Sequence, residues 1–195
     1  MAEVLTQTKW VVLLRQGRSI YSFAELLRIS GLSAPSLRRA LHRLTRRGLL
    51  IKLGKGFYAN SFVIPSLEEV AGWLYPPSYI SLESALFLHG VLEQTPHLVT
   101  CVTLNKTKAF HTALGEIAYF HLKSELFFGY QIRDHTPMAW PEKAALDFVY
   151  LQRQNGLEPA LDEWNWENLN LSKLYSLLKA YPKTVQKHLA KYLNL

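Results

Sequence analysis

Arg38, Arg39, His42, Arg43 and Arg46 crowd into one short stretch of this sequence, and Lys52 and Lys55 follow at once. Arginine guanidinium groups bond phosphate and guanine edges through a planar fork, and lysine neutralises phosphate as a point charge. The chemistry these residues suit is therefore recognition of a polyanion, with no bond made or broken. Ser33 and Ser36, at the start of the same stretch, complete a candidate DNA-binding set of Ser33, Ser36, Arg38, Arg39, His42, Arg43, Arg46, Lys52 and Lys55. A second cluster, Glu142, Lys143 and Asp147, is the other polar group that invites a catalytic reading. An acid inside an apolar helix must find a partner or stay solvated, however, so a paired structural carboxylate is the expectation there.

Two kinds of element must position the basic set. Leu37, Leu41 and Leu44 recur at the i, i+4, i+7 spacing of one buried helical stripe, which leaves Ser36, Arg39, His42, Arg43 and Arg46 on the opposite side and Arg38 on the flank. Ser33 is expected to cap this helix through its side chain, Pro35 is tolerated in its first turn, and Gly48 ends it. Leu49 to Leu53 and Phe57 to Asn60 then read as strands of a hairpin turning through Gly54, Lys55 and Gly56. Charges of one sign, set opposite an apolar stripe and followed by a basic hairpin, match what phosphate neutralisation and groove entry need. The two pieces read as the recognition helix and wing of a winged helix-turn-helix.

The flanking sequence completes that order. A first helix is expected from about Thr6 to Gln16, with Trp10, Val11, Leu13 and Leu14 apolar and Gly17 as its stop; Ile20 and Tyr21 make a minimal strand. Ser22 and Glu25 form a capping box opening a second helix that runs to Ser30 before Gly31. Ser66 and Glu69 form another such box, on a helix stopped by Pro76 and Pro77. Beyond it, Ser81 is expected to cap a helix over Leu82 to His89, with His89 near that helix's last carbonyls. Strands are expected over Leu98 to Leu104, Ile117 to Leu122 and Phe127 to Ile132. Pro141 opens a mostly apolar helix over Glu142 to Gln154, and two more helices follow near Ser172 to Lys179 and Lys183 to Leu193. The fold class is thus α+β, an N-terminal winged helix-turn-helix (1–61), a connecting helix and linker (62–77), and a mixed α/β C-terminal domain (78–195).

Composition narrows the function classes. Hydrophobic content of 49% with 19% charged residues is that of a folded globular chain. Residues 1–60 hold 11 Lys and Arg against Glu3 and Glu25, a balance of +9, while the remaining 11 against 13 give −2. This division locates the polyanion contact in the first third. Cys101 is the one cysteine, which excludes an intrachain disulfide and a cysteine zinc cluster and fits a reducing cytoplasm; its apolar setting predicts a buried, inert thiol. The start MAEVLTQTKW has no signal-peptide pattern, and no apolar run approaches the ~20 residues that span a bilayer, so a cytoplasmic protein without membrane contact is expected. His89, His97, His111, His121 and His135 fall on different elements without an HExxH pattern, and neither GxxxxGK[ST] nor GxGxxG occurs. Neither a metal nor a cofactor is expected, and no catalytic residue is assigned. Lys183, Lys187 and Lys191 form a row on the last helix that reads as a wet face, and Trp164 and Trp166 read as core more than interface.

Three stretches behind the basic module carry a resemblance: Tyr79–Gly90 (YISLESALFLHG), the strand pair Val99–Leu104 and Ala118–Leu122, and Ala139–Asp147 (AWPEKAALD). In this order they resemble the AbiEi family, antitoxins and transcriptional regulators of type IV toxin–antitoxin abortive-infection systems. The resemblance spans nearly the whole chain, which is shorter than the longer members at its C-terminal end. It implies a repressor that binds double-stranded DNA at promoter inverted repeats of its own operon. It also implies a C-terminal domain that counteracts a cognate nucleotidyltransferase-like toxin, with no stable complex required. The nearest alternative is a solitary winged-helix transcription factor whose second domain senses a ligand or dimerises. A more distant one is a nuclease using Glu142 and Asp147 around a metal, for which a third carboxylate would have to converge on the pair.

Overall fold

Leu37, Ala40, Leu41 and Leu44 are all buried along one side of helix α3 (Ala34–Arg46), and the first layer of structure assembles around that stripe. The computed structural model describes residues 7–54 and 56–193, over which the chain is mixed α+β with eight α-helices and two β-sheets. The chain divides into two compact units: one runs to Leu74 and takes in His111–Gly115, and the other comprises Tyr75–Phe110 and the chain from Glu116.

The first unit contains α1 (Gln7–Arg15), β1 (Ile20–Ser22), α2 (Phe23–Ser30), α3, β2 (Leu50–Gly54), β3 (Phe57–Asn60) and α4 (Leu67–Leu74). Trp10, Leu14, Tyr21, Leu26, Leu37, Leu41, Leu44 and Leu50 form its core, and each such leucine contributes roughly 1.5–3 kcal/mol by leaving water. The three strands pair antiparallel in the order β1-β3-β2, with Tyr21 opposite Tyr58 and Lys52 opposite Tyr58 from the other side. Asn60, fully buried, locks this sheet to α1 by donating its amide hydrogens to the Leu14 and Arg18 carbonyls at 2.7 and 2.9 Å.

Local chemistry sets the ends of these helices. At α2 both arms of the Ser22–Glu25 capping box form. At α3 the left-handed turn falls on Gly48 (φ +69), whose N–H reaches the Thr45 carbonyl while the Leu49 N–H reaches that of Leu44, both at 3.0 Å. This pair of bonds satisfies the last carbonyls and fixes where the chain leaves for β2. Leu49 is consumed by that closure, so the strand starts at Leu50 and not at Leu49. The expected Ser33 side-chain cap is absent: its hydroxyl lies 3.0 Å from that of Ser36 instead. Ser66 accepts from the Glu69 N–H at 3.1 Å, but the Glu69 carboxylate takes the Ser19 hydroxyl, a stronger acceptor–donor match than the expected return arm of a capping box. Thr6, the expected start of α1, lies outside the described residues.

The second unit holds most of a six-stranded sheet of β4 (Ser78–Ile80), β5 (Val99–Thr103), β6 (Lys108–Thr112), β7 (Gly115–His121), β8 (Tyr130–Arg133) and β9 (Thr136–Ala139), in the order β6-β7-β5-β4-β9-β8. Its centre mixes parallel pairs, β5 with β7 and β4 with β9, and an antiparallel one, β4 with β5. The helices are α5 (Leu82–Leu88), α6 (Pro141–Gln154), α7 (Leu171–Leu178) and α8 (Lys183–Leu193). α5 packs on β5 and on α6, α6 on β9, and α7 and α8 on α6. Pro141 occupies the first turn of α6, where its missing N–H costs nothing. The run expected as a strand from Phe127 begins pairing only at Tyr130, because a 3-10 turn at Ser124–Leu126 and Gly129 in the left-handed region (φ +73) precede it. Cys101 is buried in β5. Among the described residues no helix is long and apolar enough to cross a membrane.

Candidate functional site

In the first unit α3 turns its cations outward. Arg38, Arg39, His42, Arg43 and Arg46 are all exposed on the side away from the leucine stripe, and Lys52 is exposed on β2. Arg38, His42 and Lys52 come together with Phe23, Thr45, Gly56 and Tyr58 around a concavity of about 550 Å³ between helix and hairpin. The Arg38 guanidinium lies 5.6 Å from the centre of the Phe23 ring, which orients it without neutralising it. Arg39 reaches the Ser36 hydroxyl at 3.4 Å, so Ser33, Ser36 and Arg39 form a hydroxyl–guanidinium chain at the helix start. Arg39, Arg43 and Arg46 do not line the concavity. Lys55, assigned to the hairpin tip, lies outside the described residues.

Among the described residues no carboxylate pairs with Arg38, Arg39, His42, Arg43, Arg46 or Lys52. Glu25 is engaged elsewhere: the Ser22 backbone and hydroxyl and Arg18, 2.6 Å away, hold its carboxyl below the usual range. The sequence reading did not single out Phe23, Thr45 or Tyr58. The strand period offered the signal for Tyr58, since it shares a face with its cross-strand neighbour Lys52.

In the second unit the polar cluster on α6 splits in two. Lys143 and Asp147, one helical turn apart and fully buried, form an ion pair. Asp147 also accepts from the hydroxyls of Ser81 (2.8 Å), Tyr181 (2.7 Å) and Tyr79 (3.1 Å), and the Lys143 ammonium donates to the Tyr181 oxygen at 2.7 Å. The rings of Tyr79, Phe128 and Tyr181 surround that ammonium with centres 5.1–5.6 Å away. Gly129 backs the lysine so closely that a Cβ there would sit 3.0 Å from Lys143 Cγ, a second reason, besides its positive φ, for glycine. Glu142 turns the other way, accepting from the Asn170 N–H at 3.0 Å and pairing with Lys173 at 3.2 Å, whose ammonium also lies 3.9 Å from the Trp140 ring centre. Glu142 and Asp147 therefore do not converge, and among the described residues no group of three or more His, Cys, Asp or Glu is arranged to hold a metal ion.

Two expectations are corrected in this unit. Ser81 does occupy the N-cap of α5, but its hydroxyl goes to Asp147, where a buried carboxylate outcompetes backbone N–H groups. His89 ends the same helix yet bonds the Ala139 carbonyl, 2.8 Å away on β9, because its ring reaches across to the neighbouring strand. Elsewhere Trp164 is buried against Phe148 and Trp166 half-buried against Tyr192, while Lys183, Lys187 and Lys191 are exposed.

The burial of these phenols carries a pH prediction. Burial, and after it the charge of Asp147, holds Tyr79 and Tyr181 well above the usual tyrosine range; burial and then Cys101 do the same for Tyr119. The unfolded chain releases these protons near about pH 10 and the folded unit keeps them. Their stabilisation is therefore complete below that pH and is lost above it, at about 1.4 kcal/mol per phenol per pH unit, roughly 4 for the three together. Lys143 has the opposite sign, since burial lowers its pKa despite Asp147. It offsets at most one proton's slope, and only up to about pH 10.4. Urea unfolding followed by far-UV circular dichroism is expected to show the second unit losing stability steeply above about pH 11; a midpoint unchanged there would contradict the burial of these hydroxyls.

Neither protein-family models nor curated proteins give a match to this sequence.

Proposed function

We propose that the first unit is a winged helix-turn-helix that binds double-stranded DNA, with α3 in the major groove and the β2–β3 hairpin as a wing along flanking backbone. The observation that carries this reading is the unpaired cationic face: Arg38, Arg39, Arg43, Arg46 and Lys52 are exposed, and among the described residues no carboxylate neutralises them. A face of this kind is unfavourable for a lone protein by self-repulsion and is rewarded when it displaces counterions from nucleic acid. The order helix, strand, helix, helix, hairpin, with β1 added to the hairpin's sheet, supports the same reading.

The reading extends to a transcriptional repressor and antitoxin of the AbiEi type, acting at inverted repeats in its own promoter and counteracting a nucleotidyltransferase-like toxin. Two segments that carry the resemblance, Tyr79–Gly90 and Ala139–Asp147, are joined by the buried cluster of Tyr79, Ser81, Lys143 and Asp147 and, separately, by the His89–Ala139 hydrogen bond. This supports treating them as one structural unit and not as two unrelated short matches. No step of the proposed function is catalytic.

The test is a fluorescence-anisotropy titration of a labelled duplex from the gene's own upstream region. Arg39→Ala and Arg43→Ala should each cost roughly 1–3 kcal/mol and relax sequence preference, whereas Lys52→Ala should weaken all duplexes alike. Equal effects on specific and random DNA for both arginines would exchange their role with that of the lysine. Coexpression with the product of the adjacent reading frame tests the antitoxin half: rescue of growth is expected, and its absence with a folded protein would leave only the DNA-binding half standing.

A further inference from the structure

The second unit holds an open cavity of about 930 Å³ whose floor and rim differ in chemistry. Thr100 and Val102 of β5 pair in register with Ala118 and Phe120 of β7, so all four lie on one face of the sheet. Helix α5 covers the β5 side of that face, where Ser84 exchanges hydrogen bonds with Thr100 and Val102 is sealed. Ala118 and Phe120 are only half-buried, and with Leu98 they floor the cavity.

Three carboxylates from separate parts of the chain line the same space: Glu83 from the first turn of α5, Glu93 from the segment leading to β5, and Glu163 from the segment between α6 and α7. Among the described residues none of them forms an ion pair. Among the described residues His97 is the one basic side chain in the lining. Burial pushes the Glu83 carboxyl up from its usual range, with its own N–H and Thr100 as partial compensation.

We propose that this cavity binds a small organic cation, an amine or guanidinium carried on an aromatic or aliphatic body. The volume is that of a site for a drug-sized ligand, and the apolar floor provides burial for the body. The carboxylates select the charge. An anion would meet three like charges, and a neutral apolar ligand would strip water from Glu83 without replacing it, whereas a cation compensates the carboxylate it desolvates. The site lies within the second unit and is independent of DNA binding.

The test uses the full-length protein without DNA, titrated with phenethylamine, 2-phenylethanol and phenylacetate, which keep the ring and change the charge. Binding is read from backbone amide shifts of residues 92–98. Phenethylamine is expected to bind with Kd on the order of 1 mM, as suits its size, and phenylacetate at least about tenfold more weakly. Glu163→Gln and Glu83→Gln should each reduce phenethylamine affinity about three- to tenfold, and Ala118→Trp should abolish binding by filling the floor. Each variant is checked for an unchanged cooperative thermal transition; if Glu83→Gln loses it, exposed Glu163 carries the charge test alone. Equal affinity for the alcohol or the carboxylate, shifts that map elsewhere, no shift up to about 10 mM amine, or wild-type affinity in Glu163→Gln would each overturn the proposal.

Discussion

Asp147→Ala is expected to cost the second unit about 3–5 kcal/mol, enough to unfold much of it, because it strands a buried ammonium. Lys143 is fully buried and would keep only the Tyr181 oxygen and the faces of three rings. Burial already lowers its pKa, so the variant's cheapest escape is to fold with a neutral amine, which shifts its stability maximum to higher pH. The hydroxyls of Ser81, Tyr79 and Tyr181 lose their shared acceptor as well. Asp147→Asn should be milder, since the amide keeps one acceptor oxygen, yet it sets an NH₂ group against donors. The double variant Lys143→Met, Asp147→Leu should lie between the wild type and Asp147→Ala. It removes the stranded charge, but three hydroxyls still lack an acceptor, at about 1–3 kcal/mol each if they cannot turn elsewhere. Urea unfolding by near-UV circular dichroism, which follows the aromatic cage, measures all three. An Asp147→Ala protein within about 1 kcal/mol of wild type would mean that the ion pair contributes nothing net.

That network also marks where sequence reading stops. The Lys143–Asp147 pair is legible because it is local, four residues apart on a helix whose start Pro141 announces. Its partners are not: Tyr79, Ser81 and Tyr181 lie 68, 66 and 34 residues from Asp147. Periodicity carries no information about contacts at such separations. The α3 stripe and the Ser22–Glu25 box were readable for the same local reason. At Ser81 the sequence identifies the N-cap position but not which group wins the hydroxyl, since Asp147 is brought there by the fold; at Ser33 the competing group is local, the Ser36 hydroxyl three residues on. Three strands left no usable trace. β4 is three residues behind two prolines, β9 contains Pro137, and β6 is largely exposed, so none shows the alternation of a half-buried strand.

Raising the salt concentration from about 50 to 200 mM is expected to weaken DNA binding by roughly 250- to 1,000-fold, from a slope of log K against log salt near −4 to −5. The slope follows from the count of unpaired cations on the proposed interface. Arg38, Arg39, Arg43, Arg46 and Lys52 are exposed without carboxylate partners among the described residues, and each that meets a phosphate displaces about 0.9 of a condensed counterion. The contacts some of them make within the protein do not reduce the count. Arg38 lies over the Phe23 ring and Arg39 bonds the Ser36 hydroxyl, and neither partner carries charge. A protein that used only its net charge would give a shallow, sequence-blind dependence, whereas a built footprint gives a steep one that falls by about one for each phosphate-contacting cation removed. Lys52→Ala should therefore bring the slope down by about one, and Arg46→Ala the same if it grips backbone. Arg39→Ala and Arg43→Ala, counted in the same footprint, should each lower it by up to about one and, unlike Lys52→Ala, also relax sequence preference. A wild-type slope shallower than about −2 would mean that most of this face does not touch the duplex, and the proposed recognition helix would have to be sought elsewhere on the chain.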